Sequence, residues 1–198
     1  MRIVANSQWF LDPEHWEHLG NALLPPMVDG RSRLSAWSAG CATGKEPFSL
    51  AVLLAESQPE LDWSILATDR DPTALALARR GGPFSEKDTE WIPQEWQHRH
   101  FEPGVPSYVR PQLRDRVEFR QHDLTADEFP SGFDVVLYRN METCFSPEEN
   151  LAVWRGFARA LRPGGIVFVG AVDRVPPAAA QDFERLEMSF YRRTGHGG

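Results

Sequence analysis

Three carboxylates, Glu46, Asp69 and Asp123, stand where apolar runs give way to polar loops, and a loop with two glycines leads into the first of them: Trp37-Ser-Ala-Gly-Cys-Ala-Thr-Gly-Lys-Glu46. Gly40 and Gly44 can take positive φ and let the backbone come close to a ligand. The carboxylate ending the next apolar run, Ile65-Leu-Ala-Thr-Asp69, can accept hydrogen bonds from two ribose hydroxyls. A phosphate-binding loop would need Gly-Lys-Ser/Thr, whereas Gly44-Lys45 is followed by Glu46. The spacing is not that of a dinucleotide fingerprint either, and Glu46 at a helix start would repel a pyrophosphate. A carboxylate there suits a ligand with an ammonium group and no phosphate, and S-adenosylmethionine (AdoMet) is such a ligand. Each acid alone has a structural explanation: Glu46 pairs with a helix dipole, Asp69 closes a turn, Asp123 caps Leu124-Thr125. Together they form one coherent acceptor set, with Glu46 for the amino group, Asp69 for the ribose and Asp123 for the adenine amine.

The elements that must position these residues alternate between strand and helix. Strands are expected at 34–38, 63–69, 117–123, 133–139 and 166–170, with a final pair within 183–193. Phe133-Asp-Val-Val-Leu-Tyr138 is almost continuously apolar and so central. Helices are expected at about 46–57, 72–80 and 147–161, the second capped by Asp71 and stopped by Gly81-Gly82. A short helix in the first 30 residues has Asp12 as N-cap and Pro13 in its first turn, and Pro25-Pro26 ends it. Periodicity fades over about 83–116, which marks an insertion. The expected organisation is a lead-in over 1–30 and one α/β domain over 31–198. That domain is a seven-stranded, mostly parallel sheet with helices on both faces and its ligand site at the carboxyl ends of the strands.

With 198 residues, 41% of them hydrophobic, the chain can bury a substantial single core. A net charge of −7 argues against nucleic acid as a partner. No apolar run approaches the roughly 20 residues of a membrane span, and Met1-Arg-Ile-Val-Ala is too quickly polar for a signal peptide, so a cytoplasmic location is expected. Cys41 and Cys144 read as thiols rather than a disulfide. His15 and His18 have no further ligand nearby and read as surface residues, so no metal is expected. His98 and His100 read as solvated loop residues, and His122 as a half-buried strand residue, an edge of the cofactor pocket being the alternative.

Trp37–Glu56 resembles the AdoMet loop of the CheR family of chemotaxis receptor methyltransferases, Ala-Gly-Cys-Ser-Thr-Gly-Glu-Glu-Pro-Tyr-Ser. Ala67-Thr-Asp-Arg-Asp71, Tyr138-Arg-Asn140 with Phe145, and Leu161-Arg-Pro-Gly-Gly165 match further. Asn6–Pro13 is similar to the family's Asn-Glu-Thr-Ser-Phe-Phe-Arg-Asp-Pro segment, so the likeness spans nearly the whole chain. It implies a cofactor pocket built from the loop (Gly40, Ala42, Thr43, Gly44, Glu46), two strand ends (Asp69 and Arg70, Asp123 and Leu124) and Asn140-Met141. It also implies AdoMet as methyl donor, with S-adenosylhomocysteine (AdoHcy) as product.

Departures from the family pattern bear on the acceptor. On this resemblance no counterpart of the family's preceding helical domain is expected, and its peptide-docking β-subdomain is expected only in shortened form around Ser107–Phe119. The arginine and tyrosine usually beside the sulfonium are replaced by Leu11 and Cys144, and Glu142 is a new charge in the same segment. A carboxylate acceptor needs no general base, whereas an amine or hydroxyl would, and Glu142 could supply one. Asn140, Glu142 and Cys144 are therefore the catalytic candidates, Cys144 being either a packing residue or a thiol facing the methyl group. Two readings stay open. One is an AdoMet-dependent methyltransferase acting on a protein or small-molecule acceptor, possibly a signalling protein. The other is a non-catalytic AdoMet- or AdoHcy-binding regulatory or scaffolding module.

Overall fold

The computed structural model describes residues 8–195, so Asn6 and Ser7 of the family-like segment lie outside the described residues. Seven strands form one sheet: β1 (Arg33–Ala39), β2 (Asp62–Asp69), β3 (Val117–Gln121), β4 (Phe133–Tyr138), β5 (Leu161–Val169), β6 (Phe183–Arg185) and β7 (Phe190–Arg193), in the order β3-β2-β1-β4-β5-β7-β6. The first five are mutually parallel, and β7 runs antiparallel to both β5 and β6. The strand order reverses between β1 and β4, so their carboxyl ends splay into a crevice, the usual ligand position in such sheets.

Side-chain alternation along β4 divides the core in two. Val135 and Leu137 face one layer with Phe48, Leu50 and Trp16, while Val136 and Tyr138 face another with Val153, Trp154 and Phe157. The helices are α1 (Pro13–His18), α2 (Leu24–Val28), α3 (Lys45–Ser57), α4 (Pro72–Arg80), α5 (Glu86–Thr89), α6 (Gln94–His100), α7 (Pro111–Arg114) and α8 (Pro147–Ala160). A π-helical turn over Leu19–Leu23 joins α1 to α2. None is long and apolar enough among the described residues to cross a membrane. Asp71 caps α4 by accepting the Thr73 N–H at 2.8 Å, and Gly81 ends it at φ 68°. Ser146 and Glu149 form a reciprocal capping box on α8.

Asp12 departs from the expected cap. It occupies the N-cap position at φ 59° but makes no side-chain cap bond. Its carboxylate instead meets Arg139 at 2.7 Å, because that guanidinium is buried and an unpaired buried charge is far more costly than a half-solvated helix end. Arg139 also donates to the Leu11 carbonyl at 2.8 Å and lies 4.5 Å from the centre of the Phe168 ring. The lead-in segment is thereby fixed to the end of β4.

The insertion packs on that segment and on α3. Trp9 meets Phe84 and Phe101 edge-on, each at 5.1 Å. His100, expected as a solvated loop residue, bonds Glu56 of α3 at 2.5 Å beside the Arg99–Glu56 pair, and the desolvated carboxylate is the reason. The expected β-subdomain is reduced to two isolated antiparallel bridges, Phe84–Ser107 and Phe101–Val109. Pro103 and Pro106 flank the connecting tip and remove donors that a longer ladder would need.

Lys45, at the start of α3, contacts Asp88 at 2.5 Å and so ties the insertion to the glycine loop. Burial raises the Asp88 pKa, but hydrogen bonds from Lys45 and Ser85 outweigh it and hold it at about 2. A depressed folded-state pKa stabilises above the unfolded value, and that stabilisation is lost as pH falls through the folded one. Lys45→Met should therefore destabilise by about 0.5–1 kcal/mol at pH 7. The difference from wild type in urea denaturation should shrink as pH drops from 4 towards 2.

Candidate functional site

A cavity of about 400 Å³ opens at the carboxyl ends of β1, β2 and β3, bounded by the glycine loop, the start of α4 and the segment after β4. That volume lies in the range of small-molecule sites. Asp69 organises its floor: one oxygen accepts the Ala42 N–H at 2.8 Å and the other the Asp71 N–H at 2.9 Å. Each oxygen can accept a second bond, so the carboxylate can serve the loop and a ligand hydroxyl together. The Gly40 and Cys41 N–H groups both donate to the Thr68 carbonyl at 2.8 Å, turning the chain sharply through Gly40 at φ 88°. A Cβ on Gly40 would stand 2.9 Å from the Met141 sulfur, so glycine lets the two loops close on each other.

Asp123 accepts from the Thr125 hydroxyl at 2.7 Å and the Thr125 N–H at 2.8 Å, both on Oδ1, and these bonds lower its pKa. The expected local cap is therefore present on Oδ1. Gly40, Ala42, Thr43, Asp69 and Arg70 line the cavity together with Asp123, Leu124 and Met141. Cys144 also lines it and is exposed at its wall, while Phe145 is half-buried there.

Other expected site residues stand further back. Gly44, at φ 92°, packs the start of α3 against Ala78 of α4. Glu46 accepts the Ser38 hydroxyl at 2.7 Å; burial raises its pKa and Arg139 opposes that rise. It lies behind the lining residues, on the side of β1 nearest Arg139. The Asn140 side chain is directed at Gly170, where a Cβ would collide with its oxygen. Glu142 accepts the Arg174 N–H at 2.9 Å and faces a second, adjacent cavity with Thr143, Asn150 and Val175. A carboxylate so engaged and so placed is not aimed at the first cavity. Leu11 is half-buried and not among the lining residues, and its backbone is held by Arg139.

Three residues gained importance only with the structure. His122 lines the cavity, and its Nε2 lies 3.1 Å from the Glu128 carbonyl, which can only accept, so Nε2 carries the proton. Its buried Nδ1 has no partner among the described residues, and its ring meets Trp37 and Phe129 edge-on. Arg139 and Asp173 are buried charges that brace the segment after β4. A sequence signal existed for Asp173: it is one more acid shortly after a strand, in Gly170-Ala-Val-Asp173. Cys41 is buried, and burial together with the nearby Asp69 charge raises its thiol pKa well above the ordinary value.

The donor set fits a nucleoside with hydroxyls and an amine. The Asp69, Asp71 and Asp123 carboxylates line the cavity beside apolar Ala74, Leu124, Met141 and Phe145, and no lysine lines it among the described residues. The family described as CheR methyltransferase, SAM binding domain, matches residues 5–192. A chemotaxis protein methyltransferase of Listeria monocytogenes is 33% identical over 190 residues, covering 95% of this chain and 72% of the relative. A probable chemotaxis protein methyltransferase of Rhizobium etli is 32% identical over 203 residues, covering 96% of this chain and 75% of the relative. The crystal structure of a possible exported protein from Bordetella parapertussis matches with a TM-score of 0.50 at 17% identity, covering 86% of this chain and 46% of that one, a likeness of fold alone. With the resemblance read from the motifs now matched by a family spanning almost the whole chain, the enzyme reading prevails over the non-catalytic one. The chain belongs to the CheR methyltransferase family, as its AdoMet-binding catalytic domain.

Proposed function

We propose that the first cavity holds AdoMet and that the group methylated there is a carboxylate carried by a protein. Asp69 would hold the ribose hydroxyls, Asp123 and Leu124 the adenine, and Glu46 the ammonium group from behind the loop of Gly40, Ala42, Thr43 and Gly44. Met141 and Cys144 would flank the reacting end, with Asn140 holding the turn. Bound in this way, AdoMet supplies a methyl group made electrophilic by its own sulfonium, so the chain's task is proximity and orientation.

The observation that carries the acceptor class is the direction of Glu142, the side chain expected as a base, which is turned away from the first cavity towards Arg174. Asp69 and Asp123 are engaged with backbone N–H groups, and the Nδ1 of His122 is buried. A carboxylate brings its own lone pair and has no proton to lose, so it is the acceptor such a site can serve. Its orientation cannot depend on the family's arginine and tyrosine, since Leu11 and Cys144 stand there. The acceptor peptide must supply more of its own positioning, which points to a protein other than an ordinary receptor helix.

Two measurements test this reading. Asp69→Ala should weaken AdoHcy binding by about 1.5–3 kcal/mol in calorimetry, because ligand and loop lose the same charged acceptor. Labelled methyl transferred from AdoMet to host lysate proteins should be released by mild alkali, as a methyl ester is. Label that withstands alkali would assign the acceptor to nitrogen or a hydroxyl and contradict the carboxylate reading.

A further inference from the structure

Asp173 is fully buried and accepts four backbone N–H bonds. Asn140 and Gly170 donate to Oδ2 at 2.5 and 2.8 Å, and Met141 and Glu142 donate to Oδ1 at 3.0 and 2.9 Å. The three consecutive donors converge because Asn140 is left-handed, at φ 58°, and Met141 is right-handed, at φ −107° and ψ −18°. Alternating hands in successive residues turn their N–H groups to one side and make a concave anion-binding nest. Here the chain supplies the anion itself. Gly170 makes room for it, since a Cβ there would meet the Asn140 side-chain oxygen and would stand 2.7 Å from the Asp173 carboxylate.

The nest lies directly behind the cavity wall. Met141, whose N–H Asp173 holds, lays its sulfur over Gly40, and Cys144 closes the same turn by donating its N–H to the Met141 carbonyl at 2.9 Å. Both side chains line the first cavity, whereas Asp173 does not. We propose that Asp173 is a positioning residue for methyl transfer: its carboxylate, seated in the nest of Asn140, Met141 and Glu142, fixes the wall that Met141 and Cys144 present to the cofactor. The proposal rests on the reading of the first cavity as the AdoMet site. Without the carboxylate, four N–H groups lose their acceptor, Asn140 loses the reason for its left-handed backbone, and the turn relaxes away from Gly40.

The test compares wild type, Asp173→Ala and Asp173→Asn by AdoHcy calorimetry and by amide hydrogen exchange. In Asp173→Ala, AdoHcy affinity should fall about tenfold or more, and the Asn140–Glu142 amides should exchange at least about tenfold faster while those of β1 and β5 stay protected. Sodium formate, a carboxylate small enough for the vacated nest, should restore most of the affinity and protection, and sodium chloride at equal ionic strength should not. Asp173→Asn, which keeps the shape and one acceptor oxygen, should fall between the two and serves as the decisive variant if the alanine form does not fold. Variants that bind AdoHcy within twofold of wild type would overturn the proposal, as would a loss that formate leaves untouched while the three amides stay protected. Wild-type protein that does not bind AdoHcy would instead overturn the reading of the cavity on which the proposal rests.

Discussion

A parallel sheet that ends at a ligand site must turn its backbone sharply, and every N–H freed by those turns needs an acceptor. In this chain carboxylates supply several of those acceptors. Asp69 takes the N–H groups of Ala42 and Asp71, and Asp173 those of Asn140, Met141, Glu142 and Gly170. Carboxylates suit the task because their two oxygens offer about four acceptor sites and make charge-assisted bonds roughly twice as strong as neutral ones. The glycine loop and the segment after β4 are thus set by side chains from neighbouring strand ends, and their mutual approach at Gly40 and Met141 forms the cavity. Positive φ at Ala42 and Asn140, both non-glycine, marks where backbone strain is held by these bonds.

The lead-in segment depends on a charge of the opposite sign. Arg139 is buried beside Phe168 and Trp16 and is compensated by the Asp12 carboxylate and the Leu11 carbonyl. Leu11 contributes its backbone carbonyl to this clamp, so the clamp does not depend on the side chain at that position. The insertion extends the same support: Trp9 sits between Phe84 and Phe101, and Asp88 reaches back to Lys45 at the cofactor loop. The first turn of α3 is therefore braced from outside the sheet, while Asp69 holds the loop that precedes it.

Much of the fold was legible because the central strands are apolar and closely punctuated. The run Phe133–Tyr138, the cap at Asp71 and the stop at Gly81 obey local rules that tertiary structure did not override. The insertion was opaque because its helices are too short to show periodicity and are held by contacts distant in sequence, such as His100 with Glu56. In the site, Asp69, Asp123, Gly40, Ala42 and Thr43 line the cavity at the strand ends, whereas Gly44 and Glu46 stand back from it. Glu142 was misjudged because a type-and-position argument cannot tell which way a side chain turns, and the Arg174 N–H turns it towards the second cavity. Asp12 was misjudged because its partner Arg139 is far away in sequence. Asp173 escaped notice since its function depends on a nest formed by residues about 30 positions earlier.

The crevice bounded by Asp69, Asp123 and the Met141–Phe145 turn is the site we propose for the cofactor, in a methyltransferase whose acceptor brings its own nucleophile. A crystal structure of the full chain with AdoHcy tests it most directly. The ribose should lie on Asp69, the adenine beside Asp123 and Leu124, and the sulfur should face the Met141–Phe145 turn, with no basic side chain within hydrogen-bond reach of the acceptor position. AdoHcy bound away from Asp69, or a side-chain base standing over the sulfur, would contradict the account.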